Sequence, residues 1–227
     1  MSDAPAPEPV LGSVVELSGT IPIFPLTGVL LLPRGLLPLN IFEPRYLAMT
    51  RDAIQGSKLI GMIQPTEAES RHKRQDVYHI GCVGQIVSAA ETDDGRILIT
   101  LRGLCRFGIG RELEDTGTLY RQVEADYAPY ADDMTPAPDG QCDRTRLLNA
   151  LRGYCERHNL PADWDSINAA SDDLLVHSLA MICPFTPGEK QALLEAQDFP
   201  ARATMLTTLL EMALLEMTGP RRGTVLN

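Results

Sequence analysis

Lysine is nearly absent from this sequence. Only Lys58, Lys73 and Lys190 occur among the 20 basic residues, against 30 acidic ones, and the net charge is -10 over 227 residues. Affinity for a nucleic-acid backbone comes from neutralising phosphates with Lys and Arg, so a chain this acidic is poorly suited to general phosphate contact. Cysteine is sparse and odd in number. Cys82, Cys105, Cys142, Cys155 and Cys183 include no CxxC pair, which argues against a disulfide framework and for a reducing cytoplasm. Each thiol has apolar or small neighbours and reads as a small buried hydrophobe. Long apolar runs are missing too. "VLLLP" and "ALLEM" fall far short of the ~20 residues that a membrane span needs. The acidic, proline-rich start "MSDAPAPEPV" lacks the basic start and apolar core of a signal peptide. A soluble, cytoplasmic protein is expected.

The common catalytic signatures are also missing. No GxxxxGK[ST] phosphate loop, HExxH zinc motif or GxSxG elbow occurs, and each of those chemistries depends on its residues at that spacing. His72, His79, His158 and His177 are dispersed. Cys155-x-x-His158 could offer two ligands from one helix face, but nothing nearby completes a metal site. None of the three lysines has a convincing serine context for a Ser–Lys dyad. The carboxylate pairs Asp93-Asp94, Asp132-Asp133 and Asp172-Asp173 suit turns and helix starts better than acid–base work. These negatives favour a binding module over an enzyme, with no cofactor and no metal expected.

What is present divides the chain. Residues 1–19 read as a flexible tail. Next comes "IPIFPLTGVLLLPRGLLPLNIF", where Pro22, Pro25, Pro33 and Pro38 exclude a long helix and leave short strands near Ile21–Phe24, Val29–Leu31 and Leu37–Ile41. Pro44 is placed for the first position of a short helix ending at Gly56, with Glu43 beside its positive end. "KLIGMIQP" is a compact apolar strand. "TEAESRHKRQD" is a polar loop whose basic run, Arg71 to Arg74, reads as a solvated turn. Two strands flank the turn Asp93-Asp94-Gly95 as a hairpin, and glycines at 81, 84, 103, 108 and 110 mark the bulges or coiling that a small closed sheet requires. A last strand covers Leu119–Tyr127. "APYADDMTPAPDGQCD" reads as a linker or long surface loop. After it the pattern is helical: a stripe of Leu147, Leu148, Leu151, Tyr154 and Cys155, a helix capped by Ser171, a Thr186–Glu189 capping box, and a final helix from about Pro200 to Met217. The class is α+β. The expected division is a β-rich domain over 20–130, a linker over 131–143, a helical bundle over 144–217 and a tail over 218–227.

Over about Ile21–Phe107 the chain resembles the N-terminal, substrate-binding domain family of Lon protease, and the helical part to about Met217, including "KQALLEAQ", looks like the helical extension of that domain. The first block, P-[LI]-F-P-L, then L-x-P, then a strand ending in F-E-x-R-Y, is matched by Pro22, Phe24, Pro25, Leu26, Pro33, Pro38, Leu39, Phe42, Glu43, Arg45 and Tyr46. The second is matched by Gly81, Gly84, Ile86, Asp94, Gly95, Arg96, Gly103, Arg106 and Phe107. The resemblance implies a PUA-like β pseudobarrel followed by a C-terminal α-helical bundle. It also implies recognition of unfolded or damaged polypeptide, or an adaptor role beside a protease or chaperone partner, without the ATPase and Ser–Lys protease modules of full-length Lon. The residues singled out for polypeptide contact are Phe24, Phe42, Arg45, Tyr46, Arg106 and Phe107. For the aromatics the alternative is core packing, and for the arginines it is a structural ion pair, Arg45 with Glu43 for example. The contact is pictured as an apolar groove between barrel and bundle, or as an open sheet edge. The second functional reading is RNA binding, by analogy of the PUA-like fold alone, and the acidic charge opposes it. Whether the chain forms a homo-oligomer is left open by the sequence.

Overall fold

The structure, a computed structural model, describes residues 17–66 and 75–216. Most of the expected N-terminal tail, the basic run from Arg71 to Arg74 and the C-terminal tail lie outside the described residues. Six strands come first: β1 (Thr20–Pro25), β2 (Leu36–Ile41), β3 (Leu59–Ile63), β4 (Ile80–Glu91), β5 (Ile97–Glu112) and β6 (Gln122–Asp126). Helix α1 (Pro44–Gln55) lies between β2 and β3. A 3-10 turn over Ala128–Met134 leads to α2 (Arg144–His158), α3 (Trp164–Ala169), α4 (Asp172–Ile182), α5 (Pro187–Glu195) and α6 (Phe199–Glu216). The α+β arrangement, sheet first and helices after, is therefore present.

The sheet runs β2-β5-β4-β3-β1-β6, and a further β5–β6 pairing joins the last strand back to the second. Five strands thus close into a ring, and β2 hangs from it, paired only with β5 among the described strands. The 16 residues of β5 make this closure: Ile97–Arg102 pair with β2, and Gly108–Glu112 pair with β6. Among the described strands only β1 and β3 run parallel, joined by a crossover that contains α1. The prolines of β1 are tolerated because the strand changes partner midway. Thr20–Pro22 pair with β6 and Ile23–Pro25 with β3, so neither proline has to fill a ladder on both sides. Pro38 sits on β2, an edge, where its missing N–H costs least.

Alternation in β3 shows how two cores arise. All five of its residues are buried, as expected for a strand covered on both faces. Leu59 and Ile63 point into the ring, with Ile21, Ile23, Val83, Cys105, Phe107 and Val123. Ile60 and Met62 point the other way, into a larger core shared with Leu147, Leu151, Leu175, Val176 and Leu206 of the helices. The helix ends follow the sequence signals. Ser171 accepts from Leu174 N at 3.3 Å, and Thr186 and Glu189 form the reciprocal capping box.

Four points differ from the sequence reading. Val29–Leu31 forms no strand. It is part of an irregular segment whose Leu30, Leu31 and Leu32 are nevertheless buried. This segment is clasped to β5 by Arg34 N to Gly103 O at 2.7 Å and Gly103 N to Gly35 O at 2.9 Å, and Arg34 takes a left-handed φ of 65° to do so. The last strand is shorter than expected, starting at Gln122, and α3 has no counterpart in the sequence reading. Leu17 to Gly19, read as tail, hold to β6: Ala125 N donates to Gly19 O at 2.8 Å, and Tyr127 Oη to Ser18 O at 3.0 Å.

The clasp explains two glycines. A Cβ on Gly84 would meet Leu31 Cδ2 at 2.7 Å, and one on Gly103 would collide with the Leu32 carbonyl. Gly103→Ala should lower stability by roughly 2–3 kcal/mol, because backbone cannot step aside. Gly110→Ala, whose nearest neighbour would be Glu124 O at 3.4 Å, should change it little. Urea midpoints of the two variants check this.

Candidate functional site

The six residues singled out from the sequence fall into three places. Phe107 is fully buried inside the ring. Arg106, its neighbour on β5, is 5% exposed and faces the helices. Phe24, Phe42, Arg45 and Tyr46 gather at the start of α1. Pro44 occupies the first turn of that helix and Glu43 its N-cap position, without a side-chain cap bond. Glu43 instead accepts from Arg45 Nε at 3.0 Å. The Arg45 guanidinium lies 4.4 Å from the centre of the Tyr46 ring, whose other neighbour is Phe24 at 4.2 Å between centroids. Burial first, and Glu43 further, raise the Tyr46 pKa against the pull of Arg45. Phe24 and Tyr46 are thus the buried base of a stack, Arg45 is its exposed cap, and Phe42 stands beside it 63% exposed.

Phe42 continues an exposed face on which apolar side chains stand among polar ones. On β2 the side chains of Leu36, Pro38 and Asn40 share one side, opposite Arg102, Thr100 and Leu98 of β5. Leu36 is 56% exposed and Leu98 45%, while the alternate residues Ile97, Ile99 and Leu101 are buried. This face borders the unpaired edge of β2. A second exposed apolar feature is a groove of about 520 Å3 within the helices, lined by Leu151, Tyr154, Ile167, Leu174, Leu179 and Ile182.

Ring and helices share an apolar core, and beside it their junction carries a polar cluster. Arg106 Nε and Nη2 donate to the two carboxylate oxygens of Asp133 at 2.8 and 3.0 Å, and its Nη1 donates to Ala196 O at 2.6 Å. Its backbone N–H also reaches Asp133, at 3.0 Å. Burial would raise the Asp133 pKa; the hydrogen bonds and charge of Arg106 outweigh this and hold it below the usual value. Arg34 grips Asp173 in the same two-pronged way, at 2.6 and 2.7 Å. Asp172 pairs with Arg144 at 2.7 Å.

His177 stands behind Asp173, almost wholly buried. Arg202 Nη1 lies 3.0 Å from its Nε2, and Pro33 O lies 3.1 Å from its Nδ1. An arginine can only donate and a carbonyl can only accept. Nε2 is therefore the acceptor and Nδ1 carries the proton, in a neutral ring. Burial first, then the charge of Arg202, push its pKa down to about 4, overcoming the pull of Asp173. The 3.7 Å approach of His177 to Asp173 is accordingly not an ion pair at neutral pH. Sequence reasoning missed Asp133, Asp173, His177 and Arg202. The doublets Asp132-Asp133 and Asp172-Asp173 were visible, but their arginine partners lie far away in the chain.

Among the described residues no three His, Cys, Asp or Glu side chains gather as a metal-ligating group, and no helix is long and apolar enough to cross a membrane.

Comparison with known proteins adds a family. A model described as the ATP-dependent protease La (LON) substrate-binding domain matches residues 20–212. The chain is 24% identical over 207 residues to Lon protease of Flavobacterium johnsoniae, covering 89% of this chain and 25% of that one. It is 26% identical over 216 residues to Lon protease 2 of Myxococcus xanthus, covering 92% and 25%. It thus spans about a quarter of the length of these curated relatives. Among solved structures, a Lon N-terminal domain protein from Xanthomonas campestris aligns with a TM-score of 0.57 at 22% identity, covering 85% of this chain and 97% of that one. The N-terminal domain of Mycobacterium avium complex Lon protease aligns with the same TM-score at 17% identity, covering 85% and 98%. At these identities the structural likeness shows the fold.

The neutral His177 has a consequence for stability. Its pKa is near 6.5 in an unfolded chain and about 4 in the fold. Between those values the unfolded state binds more protons, so stability is complete above pH 6.5 and falls by up to ~3 kcal/mol as pH drops toward 4. Asp133 and Asp173, held below 3.8, lose their contribution only at lower pH. His177→Gln keeps a donor and an acceptor but cannot titrate. It should flatten the stability profile between pH 6.5 and 4 in urea unfolding, and an unchanged slope would contradict the assignment.

Proposed function

This chain belongs to the family of ATP-dependent protease La (Lon) substrate-binding domains, and on that footing we propose that it binds polypeptide without cutting it, receiving unfolded or damaged segments or presenting them to a separate protease or chaperone. The observation that carries this reading is the family match over residues 20–212. The reading assigns the chain recognition rather than chemistry, because the matched family model is that of a substrate-binding domain and the curated relatives extend well beyond it.

The exposed face around β2 is the surface that suits such a ligand. Unfolded chains expose apolar side chains and unpaired backbone together. Strand β2 offers both kinds of partner: an unpaired backbone edge for an extended segment, and Leu36, Phe42 and Leu98 for its alternate side chains. Of the six residues singled out from sequence, Phe42 and Arg45 are the two exposed ones, and this reading gives the ligand contact to them. Tyr46 underlies Arg45, and Phe24 underlies Tyr46. Arg106 and Phe107 support the fold at a distance from this face. Glu43 beside Arg45 balances the charge locally, so the apolar residues dominate the contact.

No observation favours RNA. Among the described residues, four surface arginines lie in ion pairs, Arg51 with Glu91, Arg96 with Asp94, Arg111 with Glu124 and Arg146 with Glu211.

A reduced, alkylated and fluorescently labelled protein, permanently unfolded, should bind this chain, whereas its native form should not. The double variant Phe42→Ser, Leu98→Ser should weaken that binding at least tenfold, in the range of interface hot spots, and leave the thermal midpoint within a degree or two because both side chains are exposed. Absence of binding by the unaltered chain, or equal binding by the variant, would overturn the reading.

A further inference from the structure

The groove of about 520 Å3 between α2, α3 and α4 keeps an apolar rim in solvent. Helix α4 turns Leu174 and Ile182 outward, the latter 74% exposed, and Leu160 stands exposed beyond the end of α2. Apolar surface gathered in a concave site is the kind that takes a partner. Among the described residues Asp163 is the sole charged member of the lining. Its side chain caps α3, accepting from Ser166 N at 3.1 Å and from Ser166 Oγ at 2.6 Å. At Cys155, Leu160 and Pro161 the groove adjoins a second hollow, walled by Arg152, Glu156 and Trp164. There Arg152 lies over the Trp164 ring at 4.7 Å, and Glu156 is exposed.

Helix α6 ends close by. Its Glu211 pairs with Arg146, near the start of α2, at 2.7 Å. Its Leu214 packs against Gly153, where a Cβ would stand 3.0 Å from Leu214 Cδ1. The last turn of α6 therefore lies beside the C-terminal half of α2. At 3.6 residues per turn, Gly153 is on the flank of α2 opposite Leu151 and Cys155, which line the groove. The residues that follow α6, 217–227, read MTGPRRGTVLN. Passing half-way round a helix of ~10–12 Å diameter takes about 16–19 Å. The eight residues 217–224 span up to about 26–29 Å when extended, so Val225 and Leu226 reach the groove. The segment carries Arg221 and Arg222 and no acidic residue. Its path crosses Glu156 and ends in a lining whose charge is that of Asp163, so the charges are complementary.

We propose that residues 217–227 wrap around α2 and seat Val225 and Leu226 in the helical groove, with Arg221 and Arg222 beside Glu156. An extended segment turns successive side chains to opposite sides, so Val225 meets one wall and Leu226 the other. A second copy of the chain fits the groove less well. Each copy has a net charge of -10 and repels its like, whereas this segment brings two positive charges and starts where α6 ends. The contact withholds Leu160, Leu174 and Ile182 from other chains. It is independent of the β2 face and stands whether or not that face binds polypeptide.

The Cys155 thiol lines the groove, and the half-buried Cys142 lies outside it. Alkylation of the full chain by iodoacetamide, resolved by peptide mass spectrometry, is compared with that of the double variant Val225→Asp, Leu226→Asp. The variant should raise the Cys155 rate at least fivefold and leave the Cys142 rate unchanged. The pair Arg221→Glu, Arg222→Glu should act in the same direction. A synthetic peptide of residues 217–227, added to the first variant, should slow Cys155 again. All four substitutions lie outside the described core, so the variants should fold. Equal Cys155 rates in the unaltered chain and the Val225→Asp, Leu226→Asp variant would overturn the proposal. So would protection that fades as the unaltered chain is diluted, which would give the groove to a second copy. Protection of the variant by an unfolded protein but not by the 217–227 peptide would give it to foreign polypeptide and overturn the proposal too.

Discussion

The buried pair of Arg106 and Asp133 holds this molecule in one piece. One guanidinium on β5 reaches the carboxylate of Asp133 in the turn after β6 and the carbonyls of Leu194 and Ala196 at the end of α5, and Tyr130 covers it at 4.8 Å. Sheet, connection and bundle thus converge on a single side chain. A buried ion pair stabilises only if its geometry is good and its other hydrogen bonds are met. Here both carboxylate oxygens and every nitrogen of the guanidinium are engaged, so the pair can be buried without leaving an idle group. The apolar core shared by sheet and helices supplies the attraction, and the pair fixes where along the sheet the helices come to rest.

That resting position decides which surfaces remain open. The helices cover one face of the ring. They leave the outer face of β2 and β5 to solvent, with Phe42 and Leu98 on it. The same docking places Arg34, bent into a left-handed φ by the clasp at Gly103, opposite Asp173 on α4, and encloses Arg202. The exposed face around β2 and the charged cluster at the junction are two results of one packing decision, one lying where sheet meets water and the other where two elements meet each other.

Local structure was largely legible in the sequence. Pro44, Ser171 and the Thr186–Glu189 box announced helix starts, and Asp93-Asp94-Gly95 announced the hairpin, because caps and turns are written in neighbouring residues. Elements without local punctuation were harder. Val29–Leu31 has strand composition, yet Pro33 and the left-handed Arg34 turn the chain before a ladder can form. The order and spacing of the motif residues gave the family, but Phe107 and Arg106 proved to be inside the fold. The polar cluster at the junction was not legible at all. Arg106 and Asp133 are 27 residues apart and Arg34 and Asp173 are 139 apart, and no periodicity records such a pairing. Asp133 sat in a stretch rich in proline and aspartate, which looks the same whether it is a linker or a buried brace.

Trp164, the single tryptophan, lies in the helical half, so its fluorescence reports the bundle while circular dichroism reports the whole chain. Equilibrium unfolding followed by both signals in the unaltered protein and in Asp133→Ala tests the bracing role directly. Coincident transitions in the first, and in the second a fluorescence transition that moves ahead with overall stability down by about 3–5 kcal/mol, are the result this account predicts. Coincident curves with an unchanged midpoint in both would contradict it.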